Sequence, residues 1–374
     1  MSSRLRAHFQ KLAEPADIRI NGDRPWDLEV HDERLFQRVF AHGTLGLGEA
    51  YIDGWWDCAQ LDELVRRAQS ADLVSRLISP TTLARVAQAK VLNLQSRRRA
   101  FAIGEHHYDI GNDLYRRMLD SRMIYSCAYW RNAETLDAAQ EAKLVLIANK
   151  LQIEAGMRVL DIGCGWGGAA LFFAEKLGCE VVGVTVSREQ AKLARERCAG
   201  LPVDIRLQDY RDLNEPFDRV YSIGMFEHVG VKNYRTYMDV VRRCLRDPDG
   251  LSVLHTIGGL RSRSQTDPWV EKYIFPNSML PSMAQIARAA EGLLVTEDVH
   301  NFGADYDHTL MAWKANVDAH WHELSATYDT RFKRLWDFYL LASAGSFRAR
   351  KLQLWQFVMA RDGVRAGYRA ENIR

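Results

Sequence analysis

The sequence predicts an α/β protein, with a doubly wound, mainly parallel sheet behind a smaller, mainly helical N-terminal domain. Three observations point to it. From about Met157, short β-branched apolar runs alternate with helical segments, the pattern of consecutive βαβ units. A glycine-rich run, Asp161-Ile162-Gly163-Cys164-Gly165-Trp166-Gly167-Gly168, joins the first of those strands to its helix, as ligand-binding turns of such sheets do. Before about residue 105, apolar residues recur at helical spacing, with only short extended pieces between.

In chain order, Asp32 to Phe40 reads as a helix with Leu35, Phe36, Val39 and Phe40 on one face, behind an acidic first turn. The glycine-rich run His42 to Ala50 reads as a tight turn. A further helix carries Leu64, Val65, Ala68, Ala71 and Val74; Pro80 breaks the pattern, and a new helix starts after Thr82 with Leu83, Val86 and Val91. Strands follow at 157–162, 180–186, 203–209, 218–224 and 251–257, and 293–298 and 353–359 complete the sheet. Between the first two strands, Ala169 to Lys176 is helical, and Ser187 with Gln190 three residues on caps the helix after the second. The domain boundary falls at 105/106.

Composition narrows the function classes. The chain has 374 residues, 47% hydrophobic and 26% charged, which excludes a disordered protein. Lys+Arg is 50 against Asp+Glu 48, a net charge of +2, so nothing global attracts nucleic acid and no nucleic-acid partner is expected. The 6 cysteines include no CxxC pair, so no metal site is expected and a reducing cytosol suits them. The first twenty residues lack an apolar signal-peptide core, and no run approaches ~18 uncharged apolar residues. One local asymmetry stands out. Residues 77–104 contain no acid but carry Arg85, Lys90, Arg97, Arg98 and Arg99. Such a stretch is either a solvated face neutralised by other parts of the fold, or a patch for phosphate headgroups of a bilayer.

The glycine turn formally contains GxGxxG at Gly163, Gly165 and Gly168, which two cofactor classes share. A dinucleotide site needs a carboxylate about 20 residues on, but that position is Thr185. Asp161, two residues before the first glycine, can instead hold the ammonium of an amino-acid-like ligand. Together these favour S-adenosylmethionine over NAD. Gly167 and Trp166 belong to the same turn, Thr185 and Gln190 flank the second strand and its helix, and Gln208 and Asp209 close the third. Strand ends are where such sheets place ligands, although a lone Asp there is often a turn former.

Seven segments in order then resemble the cyclopropane-fatty-acyl-phospholipid synthases. They are Leu45 to Trp56, His107 to Asp113, Tyr125-Ser126-Cys127-Ala128-Tyr129-Trp130 and Val159 to Gly168, followed by Gly224-Met225-Phe226-Glu227-His228-Val229-Gly230, Leu254-His255-Thr256-Ile257-Gly258 and Asn301 to Asp307. Mycolic acid cyclopropane synthases share the later segments. The resemblance implies a class I S-adenosylmethionine-dependent methyltransferase fold, Rossmann-like, with a mainly parallel seven-stranded sheet and a helical, lipid-docking N-terminal domain. It implies an enzyme that transfers a methylene from S-adenosylmethionine to the cis double bond of an unsaturated phospholipid acyl chain, through a carbocation. It also implies a homodimer acting peripherally on the inner face of the cytoplasmic membrane.

By the same resemblance, Tyr125, Ser126, Gly163, Gly165, Thr185 and Gln190 contact S-adenosylmethionine. Cys127, Glu227, His255, the backbone of Ile257 and Tyr306 hold a bicarbonate ion, the base that removes the last proton. Taken singly, Cys127 would be a small core residue and His255 a satisfied core histidine. Phe226 and the aromatics from Tyr125 to Trp130 are expected to shield a cation or to fill the core. One departure is Ser343, where the family often has a cysteine; a hydroxyl is a poor nucleophile without an adjacent base, so Ser343 is left out of the reacting set. The competing readings are a methyltransferase acting on another lipid or a small soluble nucleophile, and a lipid-binding protein without chemistry.

Overall fold

The computed structural model describes residues 2–76, 111–246, 249–370 and 373. The stretch 77–104, the helix expected after Thr82, the 105/106 boundary and the segment 107–110 lie outside the described residues.

The chain forms two compact units, and neither is continuous in sequence. The first gathers described residues of Met1–Leu92, Ser264–Pro276 and Tyr306–Leu352; the second gathers those of Asn93–Arg263, Asn277–Asp305 and Gln353–Arg374. The N-terminal helices therefore share a unit with two segments that the sequence pattern assigns to the C-terminal domain. The reason is packing. The helix Thr330–Arg348 runs against Leu61–Ser70 so closely that a Cβ on Gly345 would stand 2.2 Å from the Asp62 carbonyl oxygen.

In this first unit, Arg34–His42 is helical and buries Leu35, Phe36 and Val39, as the spacing predicts. The two-residue strands β1 (Glu29–Val30) and β2 (Trp56–Asp57) pair antiparallel. The predicted tight turn at 42–50 is instead a helix, Thr44–Ile52, and only Gly43 turns, at φ 60. Its glycines serve close approach. A Cβ on Gly46 would meet the Arg38 carbonyl oxygen at 2.4 Å, and one on Gly48 would meet the Trp269 ring at 2.4 Å.

The second unit is built on a seven-stranded sheet: β3 (Arg158–Ile162), β4 (Glu180–Thr185), β5 (Val203–Leu207), β6 (Arg219–Ile223), β7 (Leu251–Gly259), β8 (Val295–Asn301) and β9 (Leu352–Ala360). Their order is β5-β4-β3-β6-β7-β9-β8. β5 through β7 pair parallel, and β8 runs antiparallel to β9. This is the Rossmann-like arrangement of class I methyltransferases. Its strand order reverses between β3 and β6, where open α/β sheets bind ligands. Two apolar layers sandwich the sheet. One contains Phe217, Tyr237 and Met238 with Trp355 and Phe357; the other contains Leu144, Ile147, Phe172 and Phe173 with Val358. Among the described residues, no helix is long and apolar enough to cross a membrane.

Candidate active site

The loop after β3 turns because Gly163 adopts φ 90, a left-handed conformation that costs glycine nothing. A side chain there would also strike Met225, whose Cγ lies 2.6 Å from where a Cβ would sit. The loop opens onto a cleft of roughly 1360 Å³, counted out to its mouth. Tyr125, Ser126, Asp161, Gly163, Gly165, Trp166, Thr185, Gln190, Gln208 and Asp209 all line it. Of the predicted cofactor set only Gly167 stands apart. It caps the helix Gly168–Leu177 and faces Ala194, whose Cβ would lie 3.1 Å from a Cβ on that glycine. Met225, Tyr210 and His228 also line the cleft, and no spacing rule singles them out.

Most polar side chains of the cleft are tied to one another. The Thr185 hydroxyl donates to Gln190 Oε1 at 3.0 Å. Ser187 caps the helix Arg188–Arg197 by accepting from the Gln190 backbone N–H at 3.3 Å, so the predicted cap forms while the Gln190 side chain turns to Thr185. Asp209 is clasped by Arg211, which donates from Nε at 2.8 Å and from Nη2 at 2.6 Å. Ser126 Oγ accepts from Lys143 Nζ at 2.7 Å.

Asp161 is the exception. It is buried on β3, and its Oδ2 has no hydrogen-bond partner among the described residues. Burial pushes its carboxyl up to about 7, against the Tyr221 hydroxyl, which holds it down. A ligand ammonium arriving at this oxygen would satisfy it. The donor set, a lone buried carboxylate beside a glycine turn and neutral Thr185 and Gln190, fits S-adenosylmethionine.

A second cluster sits where β6 and β7 run side by side, with Ile223 opposite His255 and the Gly224 N–H donating to the His255 carbonyl at 2.9 Å. Glu227 follows in the short turn Phe226–His228. Its Oε1 accepts the Ile257 N–H at 2.7 Å, while its buried Oε2 has no partner among the described residues. Burial raises the Glu227 carboxyl to about 7, opposed chiefly by the Ile257 N–H. The Ile257 N–H, which the resemblance assigns to an anion, is thus donated to Glu227. His255 lies two residues away on the same face of β7. Its Nδ1 meets Gln356 Nε2 at 3.1 Å and its Nε2 is buried without a partner among the described residues. Burial, then the nearby Lys143 and Lys150, drives the imidazole well below its ordinary 6.5, so it is neutral.

The other predicted residues take distinct places. Cys127 is fully buried and its thiol leans on the Ala128 carbonyl at 3.2 Å; burial of this kind suits a core residue as well as a ligand. Tyr306 belongs to the first unit, where it is buried and stacks on Phe347 at 4.4 Å. Phe226 is core: it stacks on Tyr234 at 4.2 Å and meets Tyr237 edge-on. The aromatic beside His255 is instead Phe302, at 5.8 Å, which also touches Tyr129 at 5.2 Å. Ser343 is half-buried within the helix Thr330–Arg348.

Sequence reasoning missed the polar groups behind the sheet. Gln140, Lys143 and Lys150 lie on the helix Leu136–Leu151, and all three are buried, as is Gln356 on β9. Burial lowers the Lys143 ammonium to about 7, against Asp120 and Cys127, which favour its charge. No pattern in the sequence distinguishes these lysines from ordinary surface lysines on a helix.

The comparisons with known proteins agree with this geometry. The sequence model of the mycolic acid cyclopropane synthetase family matches residues 95–357. The cyclopropane-fatty-acyl-phospholipid synthase of Escherichia coli (strain K12) is 54% identical over 361 residues, covering 96% of this chain and 94% of that one. Among solved structures, mycolic acid cyclopropane synthase CmaA1, crystallised with SAH and CTAB, superposes with a TM-score of 0.64 at 32% identity, covering 70% of this chain and 98% of that one. Coclaurine N-methyltransferase, at 24% identity and a TM-score of 0.68 over 84% of this chain and 98% of its own, shares the fold. A cleft at the strand-order reversal, a buried carboxylate behind its glycine turn with one oxygen unpartnered among the described residues, and the family match over most of the sequence lead to one conclusion: this chain belongs to the mycolic acid cyclopropane synthetase family.

Proposed function

We propose that this chain is a cyclopropane-fatty-acyl-phospholipid synthase, an S-adenosylmethionine-dependent enzyme that adds a methylene across the cis double bond of an unsaturated phospholipid acyl chain. The observation that carries the reading is a pair of buried atoms with no partner among the described residues, Glu227 Oε2 in the turn after β6 and His255 Nε2 on β7, in the same unit as a cleft whose buried Asp161 likewise keeps one oxygen, Oδ2, without a partner. S-adenosylmethionine supplies an electrophilic methyl, and bicarbonate supplies the base that ends the reaction.

Asp161 holds the cofactor's amino group, the glycine turn brings backbone against its amino-acid end, and Thr185 and Gln190 meet its ribose. Tyr125, Ser126 and Trp166 wall the cleft. Glu227 and His255 face the anion with complementary hydrogen-bonding groups, an acceptor and a donor. The Ile257 N–H fixes one Glu227 oxygen and leaves the other to accept the bicarbonate hydroxyl. Two carboxylate-like anions repel unless a proton lies between them, and that hydroxyl supplies it. Phe302, beside His255, and Tyr129, against Phe302, supply apolar rings that would exclude water there and could stabilise developing positive charge. The resemblance adds Cys127 to the anion's partners. It also brings the reaction to the inner face of the cytoplasmic membrane, as a homodimer, with the cationic stretch 77–104 touching anionic headgroups. At ~1 kcal/mol per basic residue near such a surface, replacing Arg97, Arg98 and Arg99 by Glu weakens sedimentation with anionic vesicles; unchanged binding at low salt removes that assignment.

The deciding experiment is mass spectrometry of unsaturated phospholipid vesicles incubated with the protein and S-adenosylmethionine. The expected product gains one CH2 and loses its alkene. A methylated soluble amine with untouched lipid overturns the reading. A methyl-branched lipid that keeps a double bond overturns the assignment of the final proton step.

A further inference from the structure

His255 can carry its proton on either ring nitrogen, and the two tautomers do opposite things. With hydrogen on Nε2, the ring donates from its unpartnered side. With hydrogen on Nδ1, that side presents a lone pair and repels an anion. The groups behind the ring decide between them. Lys150, fully buried on the helix Leu136–Leu151, donates from Nζ to Gln356 Oε1 at 2.8 Å and approaches His300 Nδ1 at 3.1 Å. Because Nζ donates to it, the amide oxygen of Gln356 faces Lys150. The Gln356 NH2 group must then face His255, and its Nε2 lies 3.1 Å from His255 Nδ1. An N–H aimed at Nδ1 requires a lone pair there, which leaves the ring proton on Nε2. Gln356 is itself fully buried, so bulk solvent does not reach its amide.

We infer that Lys150 and Gln356 are positioning residues that lock His255 as the Nε2–H tautomer, so that its buried face is always a hydrogen-bond donor. Gln356 meets the imidazole from β9, and Lys150 acts on it from the helix through the Gln356 amide. The same chain disfavours the imidazolium: a doubly protonated ring would require the amide to flip and turn its NH2 group toward the Lys150 ammonium. The inference rests on the bicarbonate reading only for its purpose, since a donor at this place is what an anion needs. The lock itself is a property of the three side chains.

The test is long-range 15N–1H correlation spectroscopy of the full chain labelled on histidine, with the His255 signals identified by their loss in His255→Asn. In the wild type, His255 Nδ1 should resonate as an unprotonated, pyridine-type nitrogen and Nε2 as protonated. Gln356→Glu places an acceptor against Nδ1 and should exchange the two signatures, while Lys150→Met frees the amide to flip and should give a mixture. Turnover of unsaturated vesicles is then measured against added bicarbonate in CO2-depleted buffer. Gln356→Glu should need at least tenfold more bicarbonate for half-maximal rate, with the half-saturating S-adenosylmethionine changed less than twofold. A wild-type proton on Nδ1, or a Gln356→Glu protein that keeps the Nε2–H signature, overturns the lock, and the wild-type spectrum alone decides if the variant does not fold. A wild type that shows Nε2–H but turns over indifferently to bicarbonate preserves the lock and defeats the anion reading.

Discussion

The cofactor cleft and the Glu227–His255 cluster beside the end of β6 are made in opposite ways. In the cleft, geometry comes from backbone, a glycine turn and a helix cap, and the side chains mostly satisfy one another, Thr185 with Gln190, Asp209 with Arg211 and Ser126 with Lys143. In the cluster, Glu227 and His255 each keep one buried polar atom without a partner among the described residues. An unsatisfied buried group costs about 1–3 kcal/mol; the fold tolerates it at both members of the cluster, and in the cleft at Asp161 Oδ2. A cleft for a large ligand is served by a shaped, mostly pre-paired wall, whereas the cluster keeps hydrogen-bonding capacity in reserve, as the proposed anion would require.

Substitutions separate the two regions, and the largest effect belongs to the cluster. Glu227→Gln keeps an acceptor for the Ile257 N–H but removes the charge, and turnover should fall by roughly 100- to 10,000-fold while calorimetry finds cofactor affinity unchanged. Retained turnover would erase the division. Asp161→Asn should do the reverse, weakening S-adenosylmethionine binding tenfold or more, since a charged hydrogen bond is worth about 1.5–3 kcal/mol. Because burial raises Asp161 to about 7, wild-type cofactor affinity should also climb as pH rises through 7, and the Asn variant should not follow it.

A stability measurement sharpens the same contrast. Glu227 is raised from its ordinary 4.5 to about 7 in the fold, so its contribution to stability is whole below pH 4.5 and lost as pH rises through 7. Chemical denaturation should therefore find Glu227→Gln gaining on the wild type between those pH values, by about 1–3 kcal/mol at the plateau. A constant difference across that window would mean the carboxyl is not strained by burial. The smallest effect belongs to the cleft's scaffold. Ser187→Ala removes the helix cap and should cost about 1 kcal/mol of stability, visible as a lowered melting temperature, with the rate at saturating cofactor intact.

The two regions were also unequally legible. The strands, the glycine turn, Asp161 and the Ser187 cap follow from local pattern, because β-branched runs, glycines and capping residues act within a few positions of themselves. The helix Thr44–Ile52 was misread because its glycines answer to Arg38 and Trp269, neighbours that only the folded unit supplies. Phe226 reads equally well as cation shield or core, and its stacking partners Tyr234 and Tyr237 settle it as core. Lys143, Lys150 and Gln356 gave no signal at all. A buried lysine is spelled like an exposed one, and its partners Ser126, Gln356 and His300 arrive from distant segments. The resemblance named Glu227 and His255 without saying why their environment suits them; burial and the groups behind the sheet supply that reason.

The discontinuity of the first unit has a consequence for biosynthesis. Arg348 pairs with Asp62 across 286 positions of the chain, so the N-terminal helices leave the ribosome long before the helix that covers them. At about 5–20 residues per second, they wait on the order of tens of seconds with apolar faces uncovered. Nascent chains halted before residue 330 should accordingly bind hydrophobic-surface chaperones, and release should follow once translation passes residue 352.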